Sequence, residues 1–255
     1  MNDRFDIAIV GAGPAGSSAA IRLAAAGKRV VLIEKAKFPR EKLCGEFISP
    51  ECLDHFAELD VLDGMQLAGG VEITETIFYG RGGRGLAVPS SMFSRAHANA
   101  IGLSRAEMDL RLLERAKEVG VDVRPETSAF GLLMEDGTVA GVKIRSIGSE
   151  SAILAPIVLD ATGRTRALAR KGDATRAKAT SVAFKTHVRG VDIPDDRCEI
   201  FSYRRGYGGT NRVEGGLHNV CFIASASDVK RLGSEAERVF REVVCSNKRA
   251  ALVFR

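Results

Sequence analysis

Three glycines, Gly11, Gly13 and Gly16, follow directly on a short apolar run, Ile7–Val10. In a strand-turn-helix unit each of them would have its own role. The first allows a tight turn out of the strand, the second lets the backbone approach a pyrophosphate, and the third lets the helix pack against the strand. The N-terminus of that helix would point free N–H groups and its positive dipole end at the phosphates. The spacing therefore predicts a dinucleotide site.

The residues after the glycines complete a βαβ unit. An alanine-rich run typical of a helix continues to Ala26, Gly27 stops it, and a second apolar run, Val30–Ile33, ends at Glu34. A carboxylate at that place can accept hydrogen bonds from ribose hydroxyls and would repel a 2′-phosphate. The pattern predicts FAD or NAD rather than NADP. The alternative, a tight turn with incidental glycines, gives Glu34 no role.

Two features bear on the choice between FAD and NAD. The unit begins close to the first residue of the chain, and Pro14 lies inside the glycine turn. Both features resemble the FAD-binding start of flavoprotein oxidoreductases and hydroxylases, in which the sequence GxGPAG is common. This resemblance implies FAD as the bound cofactor.

Composition and charge bound the remaining possibilities. The chain of 255 residues has a net charge of +5 and no apolar run close to the ~20 residues that a membrane-spanning helix needs. The N-terminus enters the first strand directly, so no signal peptide is expected. The five cysteines are odd in number and form no CxxC pair, which predicts a reduced, cytoplasmic protein without a metal site. With no Trp and no basic-aromatic clusters, nucleic-acid binding has little support.

Periodicity and turn residues predict the elements that follow. We expect an amphipathic helix over 50–59, strands over 71–90, and a helix between Ser104 and Gly120. The glycines at 80, 82, 83 and 85 fit either a loop that approaches a ligand or a plain hairpin turn. Asp136-Gly137 predicts a hairpin, and 153–159 is typical of a buried strand that ends at Asp160.

From Ser181 onward the sequence is typical of antiparallel strands. The glycine pairs at 208–209 and 215–216 predict turns. A helix is expected over 234–246, and the final ALVFR carries no capping signal.

Four sequence pieces occur in an order that one family shows: GAGPAG with Glu34-Lys35, FPREKLCGE, SRAEMDLRLLERA and LDATGRTRALAR. Together they resemble the FAD-dependent oxidoreductases of the geranylgeranyl reductase-like branch, within the para-hydroxybenzoate hydroxylase-type superfamily of flavoprotein monooxygenases. The resemblance covers nearly all of residues 4–170. The segment GYGGTNRVEGGLHNVC extends it into the later strands.

The resemblance implies an α/β fold with two interleaved domains. One is a Rossmann-like FAD-binding domain, expected over 1–70 and 103–172. The other is a mostly antiparallel β-sheet substrate domain, expected over 71–102 and 173–255.

The resemblance also implies which residues surround the FAD. Those placed at the pyrophosphate are Gly11, Gly13, Pro14, Ala15 and Gly16. Glu34 would bind the adenosine ribose with Lys35 beside it, and the edge of the strand at Val123 would flank the adenine through backbone groups.

Three further pieces match family elements near the rest of the cofactor. Arg105 is the arginine of an R-x-x-x-D motif near the pyrophosphate and ribityl chain, although a surface salt bridge is the alternative. Asp160 and Gly163 match an Asp-x-x-Gly element, where the backbone nears the cofactor. Cys44-Gly45-Glu46 matches the loop beside the isoalloxazine, which makes Cys44 a candidate catalytic residue; a small buried structural cysteine is the alternative.

The family carries a second Gly-Asp motif after the substrate sheet, and its aspartate contacts the ribityl chain. The pair Gly172-Asp173 precedes that sheet, and no later pair follows. We therefore expect both domains to be incomplete at their C-terminal sides, with a natural short homologue as the alternative.

The resemblance implies an FAD-dependent oxidoreductase that uses NAD(P)H to reduce the flavin and reduces an alkene in a small or lipophilic organic substrate. One alternative is an FAD-dependent monooxygenase that hydroxylates or epoxidises an aromatic or polyketide-type substrate. Another is a non-catalytic nucleotide-binding fragment. The four scattered histidines are expected to be surface or structural residues rather than catalytic ones. The expected partner is the small-molecule substrate, peripheral contact with a membrane is compatible with it, and the oligomeric state is open.

Overall fold

The computed structural model describes residues 4–168 and 180–255. They form two compact units. As far as the structure describes them, the first contains Met1–Arg40, Leu59–Val61 and Ala106–Thr175, and the second contains Glu41–Glu58, Leu62–Arg105 and Arg176–Arg255.

This division differs from the expected domain boundaries over 41–70, most of which belongs to the second unit. The reason is strand pairing, because Phe47 and Ile48 pair with Gly102 and Ile101 inside that unit. The expected boundary at 172–173, with the pair Gly172-Asp173, lies outside the described residues.

The strands are numbered in chain order. They are β1 Ile7–Val10, β2 Val30–Ile33, β3 Phe47–Ile48, β4 Val71–Ile73, β5 Glu75–Tyr79, β6 Gly85–Pro89, β7 Ala100–Gly102, β8 Asp122–Arg124, β9 Ser128–Glu135, β10 Thr138–Ser146, β11 Ser149–Leu154, β12 Ile157–Asp160, β13 Ser181–Val188, β14 Arg197–Tyr203, β15 Gly206–Val213 and β16 Leu217–Ser225.

The helices are numbered in the same way. They are α1 Pro14–Ala25, α2 Pro50–Glu58, α3 Leu62–Leu67, α4 Arg105–Glu118, α5 Ala226–Arg231, α6 Ala236–Val243 and α7 Lys248–Val253. None of the helices within 4–168 and 180–255 combines the length and the apolar character needed to cross a membrane.

A parallel sheet in the order β12-β1-β2-β8 forms the centre of the first unit. Every residue of β1 and β2 is buried, as expected for parallel strands covered on both faces. Helix α1 connects these two strands and ends before Gly27, whose φ is +78°. The βαβ unit predicted from the sequence is confirmed.

An antiparallel sheet, β11-β10-β9, packs against the parallel sheet within this unit. Side chains from both sheets share one core: Ala8, Val10, Val31, Ile33, Val142, Ile144, Ile153 and Ala155. The hairpin predicted at Asp136-Gly137 is confirmed, with both residues at positive φ. The single buried strand expected over 153–159 is wrong. Pro156 separates β11 from β12, and Ile157 and Leu159 of β12 are exposed, because proline cannot donate a ladder hydrogen bond.

A six-stranded sheet in the order β13-β16-β15-β14-β5-β6 dominates the second unit. All pairs are antiparallel except β14 with β5. One face packs against α5, α6 and α7 through a core that includes Phe201, Phe222, Leu232 and Val239. The opposite face is called the pocket face here. One row of paired residues crosses this face from β13 to β5. In order, it consists of Lys185, Cys221, Gly209, Ile200 and Phe78.

The glycine-based turn predictions for this sheet had mixed outcomes. The cluster at 80–85 is a plain hairpin turn between β5 and β6, closed by a hydrogen bond from Gly80 N–H to the Arg84 carbonyl. The turn at Gly215-Gly216 is confirmed. The turn at Gly208-Gly209 is wrong, because both glycines lie inside β15, and Arg205 provides the turn with a φ of 60°. A Cβ on Gly209 would lie 2.6 Å from Cδ1 of Ile200, so close strand packing explains this glycine.

The final segment contains a capping signal that the sequence reading missed. The Asn247 side chain accepts hydrogen bonds from the N–H groups of Arg249 and Ala250 and so caps α7. Its amide also donates to the carbonyls of Tyr79, Gly80 and Ser202. One buried side chain therefore fastens α7 to two strands of the sheet.

Replacing Asn247 by alanine should destabilise the protein by about 2–4 kcal/mol, since a helix cap and several buried hydrogen bonds are lost together. The measurement is the free energy of unfolding in urea. Asn99→Ala is the control, because the Asn99 amide makes an exposed hydrogen bond to Glu72, and its loss should cost less than about 0.5 kcal/mol. Equal losses in the two variants would contradict the assigned role of Asn247.

Candidate functional site

The turn between β1 and α1 is the centre of the candidate site in the first unit. Gly11 has a φ of +104°, and a Cβ there would lie 2.5 Å from the carbonyl oxygen of Ala161. A Cβ on Gly16 would overlap the carbonyl oxygen of Gly11. The Ala161 N–H in turn donates to the Val10 carbonyl. The turn and the end of β12 therefore approach more closely than any side chain at Gly11 permits.

The N-terminus of α1 has no side-chain cap. Gly13 is the N-cap residue, and Pro14 occupies the first helical turn. The N–H groups of that turn therefore have no partner within the helix. The Ser17 hydroxyl, at the end of this first turn, is buried and has no hydrogen-bond partner in the part of the chain that the structure describes. An uncapped helix N-terminus with open donors is an arrangement that a phosphate group fits.

A cavity of about 540 Å³ lies beside this helix N-terminus. It brings together three residues predicted from the sequence, Ala15, Asp160 and Gly163. Partial burial raises the pKa of Asp160, but hydrogen bonds from Thr162 and the Leu168 N–H outweigh it and hold the pKa below its usual value. The ionised carboxylate thus organises the loop that follows β12.

The predicted ribose acceptor, Glu34, is buried and already holds backbone groups. Its Oε2 accepts a hydrogen bond from Ala12 N–H at 3.0 Å, and its Oε1 accepts one from Ala36 N–H at 3.0 Å. Each carboxylate oxygen has a second lone pair. The side chain can therefore hold the glycine turn and still accept a further hydrogen bond.

Arg40 is a site residue to which the sequence patterns assign no role. Its guanidinium donates to Asp109 at 2.7 Å and to the Ala12 carbonyl at 3.1 Å, and lies 3.6 Å from Glu34. All three charged side chains are buried. The signal that could have found this contact is Asp109, an acid on the face of α4 that also carries the buried Met108 and Leu112. A buried carboxylate needs a compensating cation.

Two other predicted nucleotide residues lie at the same end of the parallel sheet. Lys35 is exposed directly after β2. Val123 is in the edge strand β8, opposite Leu32. Their contact with a nucleotide stays a prediction.

Glu46 is the centre of a second candidate site, in the second unit. Its side chain is fully buried and its φ is +52°. The carboxylate contacts Lys185 Nζ, lies 2.5 Å from His187 Nε2, and accepts a hydrogen bond at 2.8 Å from the N–H of Arg105, the first residue of α4. The sequence indicated Glu46 only as part of the CGE loop, and it placed His187 among the structural histidines.

The Lys185 ammonium connects two carboxylates, since it also lies 2.5 Å from Glu41 Oε2. Burial lowers the pKa of Lys185, but hydrogen bonds to Glu41 and Glu46 outweigh it and raise the pKa above its usual value. Ligand atoms of Glu41, Glu46 and His187 lie within 4.8 Å of one another, close enough to hold a metal ion. Because the ammonium already supplies positive charge there, the expected absence of a metal site is kept as a prediction.

The loop at Cys44-Gly45 is fixed to the pocket face of the sheet. The Asn219 amide donates to the carbonyls of Cys44 and Gly45, at 3.2 and 2.7 Å. The Asn211 amide donates to the Glu46 carbonyl at 3.1 Å. The Cys44 thiol is partly exposed and accepts a weak hydrogen bond from the Glu46 N–H. The backbone of this loop is thus held from Cys44 to Glu46.

A cavity of about 430 Å³ lies on the pocket face. Most of its lining is apolar and aromatic: Phe47, Phe78, Phe93, Cys198, Ile200, Tyr207, Cys221, Phe222 and Ile223. Gly45 and Asn211 line it as well, and Cys221 lies opposite Lys185 in the sheet. The face therefore changes from charged near Glu46 to apolar around the cavity. Such a cavity suits a ligand with a lipophilic body.

Comparison with known proteins places these features among flavoproteins. A family model described as "FAD dependent oxidoreductase" matches residues 6–188. A digeranylgeranylglycerophospholipid reductase of Methanosarcina mazei is 30% identical over 207 residues, which cover 79% of this chain and 49% of that protein. A menaquinone reductase of Mycolicibacterium smegmatis is 48% identical over 162 residues, which cover 55% of this chain and 36% of that protein. The chain thus spans about half the length, or less, of these curated relatives.

A solved structure shows the same fold. A flavoprotein/dehydrogenase from Cytophaga hutchinsonii matches with a TM-score of 0.85 at 25% identity, over 98% of this chain and 63% of that one. The α/β architecture with a flavoprotein-type dinucleotide unit, predicted from the sequence, is confirmed.

The cysteines of the second unit should differ sharply in reactivity. Burial raises the pKa of Cys198 to about 12, whereas Cys52 is exposed. At pH 8 a thiol reagent should label Cys52 rapidly and Cys198 far more slowly, since the thiolate is the reactive form. Time-resolved mass spectrometry of labelled peptides measures both rates, with Cys52→Ser as the control that removes the fast phase. Labelling of Cys198 at the rate of Cys52 would contradict the burial described here.

Proposed function

The chain belongs to the FAD dependent oxidoreductase family, and from this premise we propose that it forms the FAD-binding and substrate-binding parts of a reductase. The enzyme would use NAD(P)H to reduce FAD and would reduce an alkene in a lipophilic organic substrate. The observation that carries the proposal is the uncapped N-terminus of α1 beside a cavity of about 540 Å³.

The hydrogen-bond donors of the first unit suit the pyrophosphate of FAD. The pyrophosphate would lie at the turn formed by Gly11, Gly13, Pro14, Ala15 and Gly16, where no side-chain cap competes for the first-turn N–H groups. These donors attract an anion, and the glycines leave room for it.

The other predicted residues would contact the rest of the cofactor. Glu34 would accept from the adenosine ribose with Lys35 beside it, and the β8 backbone at Val123 would flank the adenine. Arg105, Asp160 and Gly163 would lie along the pyrophosphate and ribityl chain. Cys44 and Gly45 would lie beside the isoalloxazine.

When bound, FAD supplies two-electron transfer between NAD(P)H and the substrate. The chain's own residues would position the substrate and exclude water from it. Apolar side chains of the pocket face would hold a lipophilic body. The cluster of Glu46, Lys185 and His187 can hold protons within a buried network. Cys44 is the candidate catalytic residue, because its thiol borders the loop that the network fixes.

The names of the relatives support a lipophilic substrate. One is called a digeranylgeranylglycerophospholipid reductase and another a menaquinone reductase. Both names denote reduction of a molecule with a long apolar part. The apolar lining of the 430 Å³ cavity agrees with a substrate of that class. A cytoplasmic location is a separate part of the proposal.

Replacing Ala15 by glutamate tests the cofactor site without threatening the fold. Ala15 is exposed in the first turn of α1, where an acidic side chain favours the helix. The new charge would face the FAD pyrophosphate, so we expect FAD affinity to fall on the order of tenfold to a hundredfold. Quenching of FAD fluorescence measures the affinity, and the thermal midpoint should not fall.

Ala25→Glu is the matched control, with the same charge change at the exposed C-terminal end of the same helix. It should leave FAD affinity within about twofold, since solvent screens charges at that distance. Equal affinity in Ala15→Glu and the unaltered chain would place the pyrophosphate elsewhere.

Anaerobic mixing with NADH or NADPH tests the reaction. Bleaching of the flavin absorbance, followed by reoxidation on adding menaquinone or a geranylgeranyl lipid, is the expected result. Product that forms only in air, or hydrogen peroxide in place of reduced substrate, would favour the monooxygenase alternative. A chain that binds no FAD in any form would favour the non-catalytic alternative.

A further inference from the structure

Exposed apolar side chains lie at the cavity on the pocket face, which the exposed Glu51 also lines. Phe78, Phe93 and Tyr207 line the cavity and are also exposed at the surface. Leu86 lies opposite Phe78 in the strand pair, Met92 precedes Phe93 in the chain, and the two are 68% and 73% exposed. These five residues are called the rim. Exposed large apolar side chains that cluster around a cavity mark an interaction site, whereas scattered ones do not.

The sheet register makes the rim continuous with the cavity. Leu86 on the edge strand β6 lies directly opposite Phe78 on β5, so both side chains are on the pocket face. Phe78 in turn lies opposite Ile200, a residue of the cavity wall. The apolar surface therefore runs from inside the cavity to the outer edge of the sheet.

Basic turns lie at one end of the same sheet. Strands β5 and β14 are parallel, with Tyr79 opposite Phe201, so the turns that follow them are at the same end. The first turn reads GRGGR and contains Arg81 and Arg84, and the second contains Arg204 and Arg205. All four arginines are exposed, and neither turn contains an acidic residue.

The surroundings of these turns are also basic. Exposed Lys248 contacts the first turn, with its N–H directed at the Arg81 carbonyl. Asp228 forms an ion pair with Arg205 and another with Arg231. Positive charge therefore exceeds negative charge at this end of the sheet.

We propose that the rim and these arginines dock the second unit on an anionic lipid bilayer. The rim would enter the boundary between headgroups and acyl chains, and the arginines would contact the headgroups. An apolar surface flanked by cations is how peripheral proteins bind membranes, with each basic residue near the surface strengthening binding by about fivefold. The docking itself does not depend on the proposed function. Its purpose, which would be direct entry of a lipophilic substrate from the bilayer, rests on the proposed function.

Vesicle co-sedimentation of the full chain with FAD added tests the docking. The probes are vesicles of phosphatidylcholine alone and of phosphatidylcholine mixed with phosphatidylglycerol. Binding should be stronger to the anionic vesicles and should weaken with added salt. Absence of binding to both kinds of vesicle would overturn the proposal.

Substitutions in the rim and in the basic turns test whether vesicle binding depends on this surface. Leu86→Asp and Met92→Asp should each lower vesicle binding at least tenfold, because a charge would enter the apolar boundary. Arg81→Gln with Arg84→Gln should lower binding to anionic vesicles on the order of twentyfold and change binding to neutral ones little. Equal effects on both kinds of vesicle would overturn the role of charge.

The control variants make the same types of substitution outside the proposed docking surface. Leu67→Asp alters a more exposed leucine outside the rim, and Lys143→Gln with Arg145→Gln removes the same charge from the first unit. Both should bind vesicles as the unaltered chain does. If Leu67→Asp matched Leu86→Asp, the rim would not be the docking surface. If Leu86→Asp instead changed the oligomeric state and left vesicle binding intact, the rim would be a protein interface.

Flavin binding and NAD(P)H oxidation are measured on the same variants. Loss of vesicle binding with FAD affinity retained supports the docking surface. A chain that binds vesicles through the rim but binds no FAD would refute the proposed function and leave the docking intact.

Discussion

The buried guanidinium of Arg40 is the contact on which the glycine turn of the first unit depends. Two carboxylates, Glu34 and Asp109, are buried within its reach, and without a cation between them they would repel each other in a medium of low dielectric constant. Arg40 also holds the Ala12 carbonyl, while Glu34 holds the Ala12 N–H. The residue between the two leading glycines is thus fixed through both of its backbone polar groups. The glycine turn is therefore formed before any ligand arrives, which reduces the ordering cost of binding.

The second unit also holds a buried carboxylate by polar contacts. There Glu46 is fully buried and contacts Lys185, His187 and the N–H at the start of α4. Asn211 and Asn219 hold the backbone of the same loop through their amides. Breaking a network of this kind is costly, because each remaining group is left buried without its partner. Both candidate sites are therefore built on rigid polar contacts, while the apolar cavity offers adaptable surface.

Short sequence patterns were enough to predict the elements that depend only on residues close together in the chain. The βαβ unit follows from apolar runs, glycines and a terminal acid within about thirty residues, and the hairpin at Asp136-Gly137 follows from its two turn residues. Long-range contacts were not readable. Arg40 meets a partner 69 positions away, and Asn247 bonds to strands 168 and 45 positions away. Gly208 and Gly209 looked like a turn because glycine serves both turns and close packing, and only the neighbouring strands decide which one applies.

Gly209 has a consequence for the size of molecule that the cavity admits. It lies inside β15 and lines the cavity, where a Cβ would meet Ile200. Part of the cavity floor is therefore backbone, with the Ile200 side chain packed against it where a side chain at 209 would lie. A methyl group added there would overlap Cδ1 of Ile200, so the Ile200 side chain would have to move within the cavity wall. Related proteins could thus differ in the size of the molecule that this cavity accepts through a change at this one position. The charged network around Glu46 and the glycine turn would stay the same.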